Sequence, residues 1–316
     1  MSDSLPEILF SLRVPEEHLS PLDGLARVRM LDNGFGAAPR AQVLEEVGNC
    51  VGLISQGEVR VDAELLDRAP NLRVVANAAM GIDNLDVEEL RSRGIAASNT
   101  PDAFAESTAD HTMGLLLDLT RRISESDRFV RTGEWAHGME PLRWEGTRIG
   151  EKTLGLVGYG RIAKMVETRA RAFGMNVLHT RSRATDHPDQ RPLDQLLAKA
   201  DVVVVLVPLT EATHHLINAE RLHQMKPGAF FLNLARGKIM HEEAVVEALQ
   251  SGHLAGAAFD VFEEEPLVNE AFFTMDNVVL TPHTGGATRE QRRTGRREAA
   301  ENVARFLRGE PMLSPV

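Results

Sequence analysis

The sequence predicts an α/β protein built from two doubly wound parallel sheets, and three observations carry that expectation. Short β-branched runs alternate with helical periods nearly throughout, the pattern of parallel sheets covered by helices on both faces. The runs fall into two series separated by one long helical stretch. At 316 residues and 43% hydrophobic content, the chain can fill two cores.

In order, EILFSL, ARVRML, VGLIS, LRVVANA and IAASN read as the strands of a first sheet, with AQVLEEV, AELLDRA and VEELRSR as helices between them. The stretch from about Ala105 to Arg131 reads as one long helix. The following TGEWAHGMEPLRWEG has two tryptophans, Pro and Gly breaks and no regular period, and reads as an irregular arm. A second sheet is expected from TLGLVG, NVLHT, DVVVVLV, AFFLNLA, LAGAAFDV and NVVLT. A last helix, about Thr288 to Leu307, comes after that sheet is finished, so it is expected to return to the first domain. The expected boundaries are 1–103 for the first segment, 104–284 for the second domain with its arm, and 285–316 for the returning segment.

Composition excludes several classes of function. The formal charge of −11 disfavours nucleic acid or an anionic membrane as main partner, because both demand a basic face. A single cysteine, Cys50, excludes an intramolecular disulfide and any cysteine cluster for zinc or iron–sulfur chemistry; packing is its expected role. The opening MSDSLPEILFSLRVPEE shows no basic segment followed by a long apolar one, and Val202 to Val207 is too short to span a bilayer. A soluble cytoplasmic protein is expected.

LGLVGYGRIAKMV, residues 154 to 166, carries the first chemical signal. Gly158, Tyr159, Gly160, Arg161, Ile162 and Ala163 form GxGxxA after a strand and before a helix, the context of the Rossmann dinucleotide fingerprint. The first glycine permits the tight turn, the second lets a pyrophosphate approach the backbone, and Ala163 lets helix and strand pack closely. Phosphate charge then sits at the positive end of the helix. A tight turn without a ligand is the plainer alternative. The next strand ends in Arg181, Ser182 and Arg183, with no carboxylate before Asp186. An NAD site wants an acid there to accept from the ribose hydroxyls, whereas two guanidinium groups and a hydroxyl suit a 2′-phosphate. NADP(H) is favoured, NAD(H) remains possible, and a solvated basic loop is the alternative.

Three residues stand at or near the carboxyl ends of later strands: Arg236 in FLNLARGK, Glu265 in DVFEEEP and His283 in LTPHTGGAT. Reducing a 2-oxo acid needs a cation for the carboxylate and carbonyl, a proton donor, and a group that keeps the donor charged. Arg, His and Glu can meet those needs. Singly, Arg236 could cap a strand end, Glu265 could be one of three solvated acids, and His283 is one of eleven histidines.

GLVGYGRIA, VPLTEATHHLI, MKPGAFFLNLARGK, AAFDVFEEEP and VVLTPHTGGAT, in this order, resemble the D-isomer-specific 2-hydroxyacid dehydrogenases. In the first domain, NAAMGIDNLDVEELRSRGI and NTPDAFAESTADHTMGLLLDLTRR resemble that family's substrate loop and interdomain helix, so the similarity spans essentially the whole chain. The resemblance implies a flavodoxin-like substrate-binding domain beside the Rossmann domain, closing around a cleft, and a homodimer formed through the cofactor domain and its Trp-bearing arm. It implies Arg236 on the substrate carboxylate and carbonyl, His283 as acid/base paired with Glu265, and the Met80 and Gly81 amides on the carboxylate. Thr108, Val207, Pro208, Thr213, Ala235, Asp260 and Gly285 would lie near the cofactor, with Asp260 on the nicotinamide carboxamide. NTPDAFAESTAD is closer to the glyoxylate, hydroxypyruvate and 2-ketogluconate reductases than to the phosphoglycerate branch, and no extra C-terminal regulatory domain is read.

Departures are few. Arg181 replaces the acid of the NAD-using branch, Ala163 replaces the third glycine, and His241 stands where the family often carries an acid, in an expected helix N-cap region. Trp135 and Trp144 are expected to pack in the arm, with one reaching across a dimer to a substrate pocket as the alternative. No metal site is expected: His111 and the pair His214 and His215 lack partners at ligand spacing. Two other readings stay open, a nucleotide-sensing corepressor-like binding module and a phosphite-type dehydrogenase on the same scaffold. A formate-type enzyme fits less well, since an amide takes the place of Glu265 there.

Overall fold

The computed structural model of the chain describes residues 5–32, 38–183 and 185–316. Residues 1–4, where the N-terminal segment read for a leader begins, lie outside the described residues. The chain forms two compact units, residues 1–104 with 287–316, and residues 105–286.

The first unit is a five-stranded parallel sheet in the order β2-β1-β3-β4-β5. Its strands are β1 (Glu7–Phe10), β2 (Arg27–Met30), β3 (Gly52–Ser55), β4 (Val74–Asn77) and β5 (Ala96–Ser98). Alternation along the strands divides two cores. Leu9, Leu53 and Val75 face α1 (Arg40–Glu46), α2 (Ala63–Arg68) and α3 (Val87–Ser92). Ile8, Phe10, Ile54, Val74 and Ala76 pack with Ala299, Ala300, Val303 and Ala304 of the returning C-terminal helix, α10 (Arg289–Leu307). Small residues on α10 let it lie close against the sheet. Asp62, Asp86 and Thr288 start α2, α3 and α10 by accepting from backbone amides of their first turns. Cys50 is fully buried in the first of these cores.

The second unit is a six-stranded parallel sheet in the order β11-β10-β9-β8-β6-β7. Its strands are β6 (Thr153–Val157), β7 (Asn176–Thr180), β8 (Val202–Val205), β9 (Ala229–Asn233), β10 (Leu254–Phe259) and β11 (Val278–Leu280). Helices α4 (Ala105–Arg121) and α6 (Arg161–Ala172) cover one face through Ala109, Met113, Leu116, Ala163, Val166 and Ala170. On the other face lie α7 (Leu193–Lys199), α8 (Ala219–Gln224) and α9 (Glu242–Gln250). The strand order reverses at β6, between β8 and β7, which is the switch point where such sheets hold ligands.

The stretch expected as one helix is two. Arg122 takes a left-handed conformation at φ 56°, and the chain restarts as α5 (Ile123–Arg131). The cause is Asp118, in the last turn of α4, whose carboxylate accepts from the Ser124 amide at 2.7 Å and from its hydroxyl. Among the described residues no helix is long and apolar enough to cross a membrane.

Candidate active site

The fingerprint turn has the geometry its sequence requires. Gly158 sits at φ 100°, and a Cβ there would lie 2.8 Å from the Leu206 carbonyl and from Val207. A Cβ on Gly160 would instead meet nothing within 4 Å, leaving the approach to the α6 N-terminus open. Gly160 is the N-cap of α6 and offers no side chain to its first-turn amides. Ala163 is buried in the core beneath. An open glycine floor at the positive end of a 12-residue helix fits a dinucleotide pyrophosphate.

Tyr159 turns its ring inward. It stacks on His179 at 3.6 Å between centroids and donates its hydroxyl to Glu167. Burial, then that hydrogen bond, pushes its phenol up to about 12. Arg181, Ser182 and Arg183 are exposed where β7 ends, with the Arg181 guanidinium carbon 5.9 Å from the Tyr159 ring centre. Thr213 is held at the β8 end by donating to the Pro208 carbonyl at 2.7 Å.

Arg236 and Glu265 ride on two segments pressed together. At the end of β9, fully buried Asn233 donates to the Arg236 carbonyl at 2.9 Å and accepts from the Ala235 amide at 3.1 Å, which shapes the turn carrying Arg236. Next comes Gly237, where a Cβ would fall 1.8 Å from the Phe262 carbonyl carbon. The backbone of the Arg236 turn therefore lies directly on the segment leading to Glu265.

The three consecutive acids are each committed. Glu263 pairs with His215, and it exchanges hydrogen bonds with Glu242, each carboxylate accepting the other's amide. Glu264 lies 3.3 Å from the Lys238 ammonium. Glu265 reaches His283, Oε2 to Nδ1 at 2.8 Å, while its Oε1 accepts from the Phe262 amide at 3.1 Å. Burial alone would raise the Glu265 carboxyl. The hydrogen bond and charge of His283, the Phe262 amide and the positive charge of Arg236 outweigh it, and hold the carboxyl below the ordinary value. A carboxylate on Nδ1 leaves Nε2 of His283 as the face for a reacting group.

His283 itself sits at φ 52°, in the left-handed region. Asp260 is what holds it there. The Asp260 carbonyl accepts from the His283 amide at 2.8 Å. The buried carboxylate accepts from the Thr281 hydroxyl at 2.6 Å and from the Thr284 and Gly285 amides at 2.7 Å each. His111, considered in the sequence only as a metal ligand and set aside, adds its Nε2 at 3.0 Å from the Thr281 hydroxyl and 3.4 Å from Asp260. A Cβ on Gly285 would lie 2.9 Å from Asp260 and 3.6 Å from Thr108, so these positions adjoin. Sequence reading missed His111, Asn233 and Glu263. Only Asn233 left a signal, a polar residue inside the apolar run AFFLNLA.

Burial would raise the Asp260 carboxyl, but its four donors prevail and lower it. A lowered carboxyl stabilises the fold above its unfolded pKa, and that stability is lost as pH falls through the lower folded value. Asp260→Asn is therefore expected to cost about 1–3 kcal/mol at pH 7. Denaturant unfolding at stepped pH should show the gap to the parent narrowing below about pH 4.

In the first unit, the loop after β4 presents Met80 and Gly81. Their carbonyls accept from Asn99 at 2.8 Å and Asn77 at 2.9 Å. Their amides have no hydrogen-bond partner among the described residues. His241 is the N-cap of α9, its Nδ1 accepting from the Ala244 amide at 3.3 Å. Trp144 packs against Phe129 with centroids 4.8 Å apart, whereas Trp135 is exposed. Among the described residues no group of three or more His, Cys, Asp or Glu is placed to hold a metal ion.

A glycine-floored turn at the sheet's switch point, with an imidazole–carboxylate pair and an arginine at the ends of neighbouring strands, defines a nucleotide-dependent dehydrogenase. The chain belongs to the D-isomer-specific 2-hydroxyacid dehydrogenases: residues 113–285 match that family's NAD-binding domain. It is an oxidoreductase of that family. It is 41% identical to a glyoxylate reductase of Pyrococcus furiosus over 314 residues, covering 96% of this chain and 93% of the relative. The crystal structure of a Thermus thermophilus protein superposes with a TM-score of 0.91 at 40% identity, covering 98% of this chain and 99% of that one. An NADPH-dependent glyoxylate/hydroxypyruvate reductase of Sinorhizobium meliloti, solved with NADP and malonate, gives a TM-score of 0.88 at 31% identity, covering 99% and 97%.

Proposed function

We propose that this enzyme reduces a small 2-oxo acid, of the glyoxylate, hydroxypyruvate or 2-ketogluconate type, to the D-2-hydroxy acid using NADPH. The observation that carries the reading is the His283–Glu265 pair at 2.8 Å, with the Arg236 charge acting on the same carboxylate. A bound reduced nicotinamide supplies the hydride. Arg236, with the Met80 and Gly81 amides, binds the substrate carboxylate, and its guanidinium polarises the carbonyl. His283 delivers the proton from Nε2 to the carbonyl oxygen as charge builds there, while Glu265 stabilises the imidazolium and fixes the ring. Gly158, Gly160 and the first turn of α6 take the pyrophosphate, and Arg181, Ser182 and Arg183 take the adenosine 2′-phosphate. The remaining cofactor positions are Tyr159, Arg161, Ile162, Thr108, Val207, Pro208, Thr213, Ala235, Asp260 and Gly285.

We also infer a homodimer formed through the arm, supported by exposed Trp135, Met139 and Leu142 between α5 and β6. The test of the whole reading is a steady-state assay of glyoxylate, hydroxypyruvate and 2-ketogluconate with each nicotinamide. Sustained NADPH consumption is expected, with kcat/KM for NADPH above that for NADH, and Arg181→Asp should narrow or invert the ratio. A binding module would show no turnover, and preference for NADH would overturn the role of Arg181.

A further inference from the structure

In the first unit, α10 buries an arginine. Arg296 is 9% exposed, yet its only hydrogen bond among the described residues runs from Nε to the Gln56 Oε1, at 2.6 Å. It forms no ion pair there, and its two terminal nitrogens carry no protein partner. Neither is sealed from solvent. A guanidinium has five donors, and a buried one is ordinarily paired with a carboxylate. Glu58, the acid whose charge acts on it, is engaged elsewhere, accepting from the Ser11 hydroxyl at 2.6 Å and the Gln56 amide at 3.0 Å. Burial first, and then the neighbouring Arg292, lower the affinity of Arg296 for its proton, and the charge of Glu58 offsets this only in part.

A second buried group, His18, lies close enough for the Arg296 charge to act on it. His18, 8% exposed, has a sealed Nδ1 with no partner. Burial and then the Arg296 charge lower its pKa, so the ring is neutral at pH 7.

The location is informative. Ser11 and Gln56 directly follow the carboxyl ends of β1 and β3. Gly57 adjoins the substrate loop, since a Cβ on it would lie 3.4 Å from the Ala79 Cβ. The carboxyl ends of parallel strands are where such sheets hold ligands. The missing partner of Arg296 is thus an anion that arrives beside residues 79–81.

We propose that Arg296, backed by Gln56 and His18, forms a carboxylate subsite that takes the distal carboxylate of a 2-oxo dicarboxylic acid. Planar, fork-shaped donors suit a carboxylate bidentately. This extends the substrate range beyond glyoxylate, which has no distal group, and it rests on the 2-oxo acid reductase reading above.

The test compares oxaloacetate with 2-oxobutyrate, of equal carbon number but without the distal charge, and with glyoxylate, all with NADPH. The parent enzyme should favour oxaloacetate over 2-oxobutyrate at least tenfold in kcat/KM. Arg296→Met should erase that preference chiefly through KM, leave glyoxylate within about twofold, and Arg296→Lys should restore part of it. No preference in the parent, or an equal loss on all three acids in the variant, overturns the subsite. If no 2-oxo acid is reduced at all, the reductase reading has failed, and malonate titration of the parent beside Arg296→Met and Arg296→Lys judges the subsite. Weaker binding in Arg296→Met, partly restored in Arg296→Lys, is expected, and equal binding by all three overturns it. A malonate-dependent rise in Tm is expected in the parent, and its absence overturns the subsite even if Arg296→Met does not fold.

Discussion

Replacing His283 by alanine is expected to lower kcat for 2-oxo acid reduction by about 10²–10⁴-fold, the usual worth of a positioned acid. NADPH binding, followed by fluorescence titration, should be unchanged, because the fingerprint turn lies between β6 and α6, whereas the His283 loop follows β11 at the far edge of the sheet. The backbone there is left-handed, at φ 52°, so alanine adds a conformational cost of its own. His283→Asn separates the effects, since asparagine tolerates that conformation yet cannot serve as the acid. Both variants should be equally slow. An asparagine variant that keeps parental turnover would remove the imidazole from the reaction.

The second large effect is expected from a single methyl group. In Gly237→Ala the new Cβ would overlap the Phe262 carbonyl carbon and oxygen, at 1.8 and 1.9 Å, and the Glu263 amide nitrogen, at 2.3 Å. These are backbone atoms, so no side-chain rotation relieves the clash. The cost should exceed the roughly 1–3 kcal/mol of ordinary core overpacking. Arg236 immediately precedes this glycine and Glu265 follows three residues after Phe262, so any relaxation moves both functional groups. Denaturant unfolding should show a large loss of stability, and the folded fraction should turn over slowly with a raised substrate KM. Gly24→Ala is the control. A Cβ there meets nothing within 4 Å, although its φ of 72° makes alanine strained, so a loss comparable to Gly237→Ala would show that packing is not the cause.

The strands of both sheets were legible because parallel strands buried on both faces read as continuous apolar runs, and β3, β4 and β8 are buried at every residue. The last helix was legible as an element, and the alanines that match it to the first sheet are visible in EAAENVARF. The break at Arg122 was not, because it depends on Asp118 reaching six residues ahead to Ser124. At the site, the residue types that could do the chemistry stood out because each falls at or near the end of a strand. What holds them did not. Glu263 meets His215 across 48 positions, and His111 meets Thr281 across 170. Those pairings follow from the order of strands in the sheet, which no local period encodes. Arg296 was invisible for a related reason: TREQRRTGRRE contains five arginines, and only the packing of α10 shows which one is turned inward.

The most direct test is a crystal structure of the enzyme with NADP⁺ and an unreactive 2-oxo acid analogue such as oxamate. The account predicts His283 Nε2 and the Arg236 guanidinium within about 3 Å of the same carbonyl oxygen, with the nicotinamide C4 facing the adjoining carbon. An imidazole turned away from that oxygen, or an analogue bound by Arg236 alone, would contradict it.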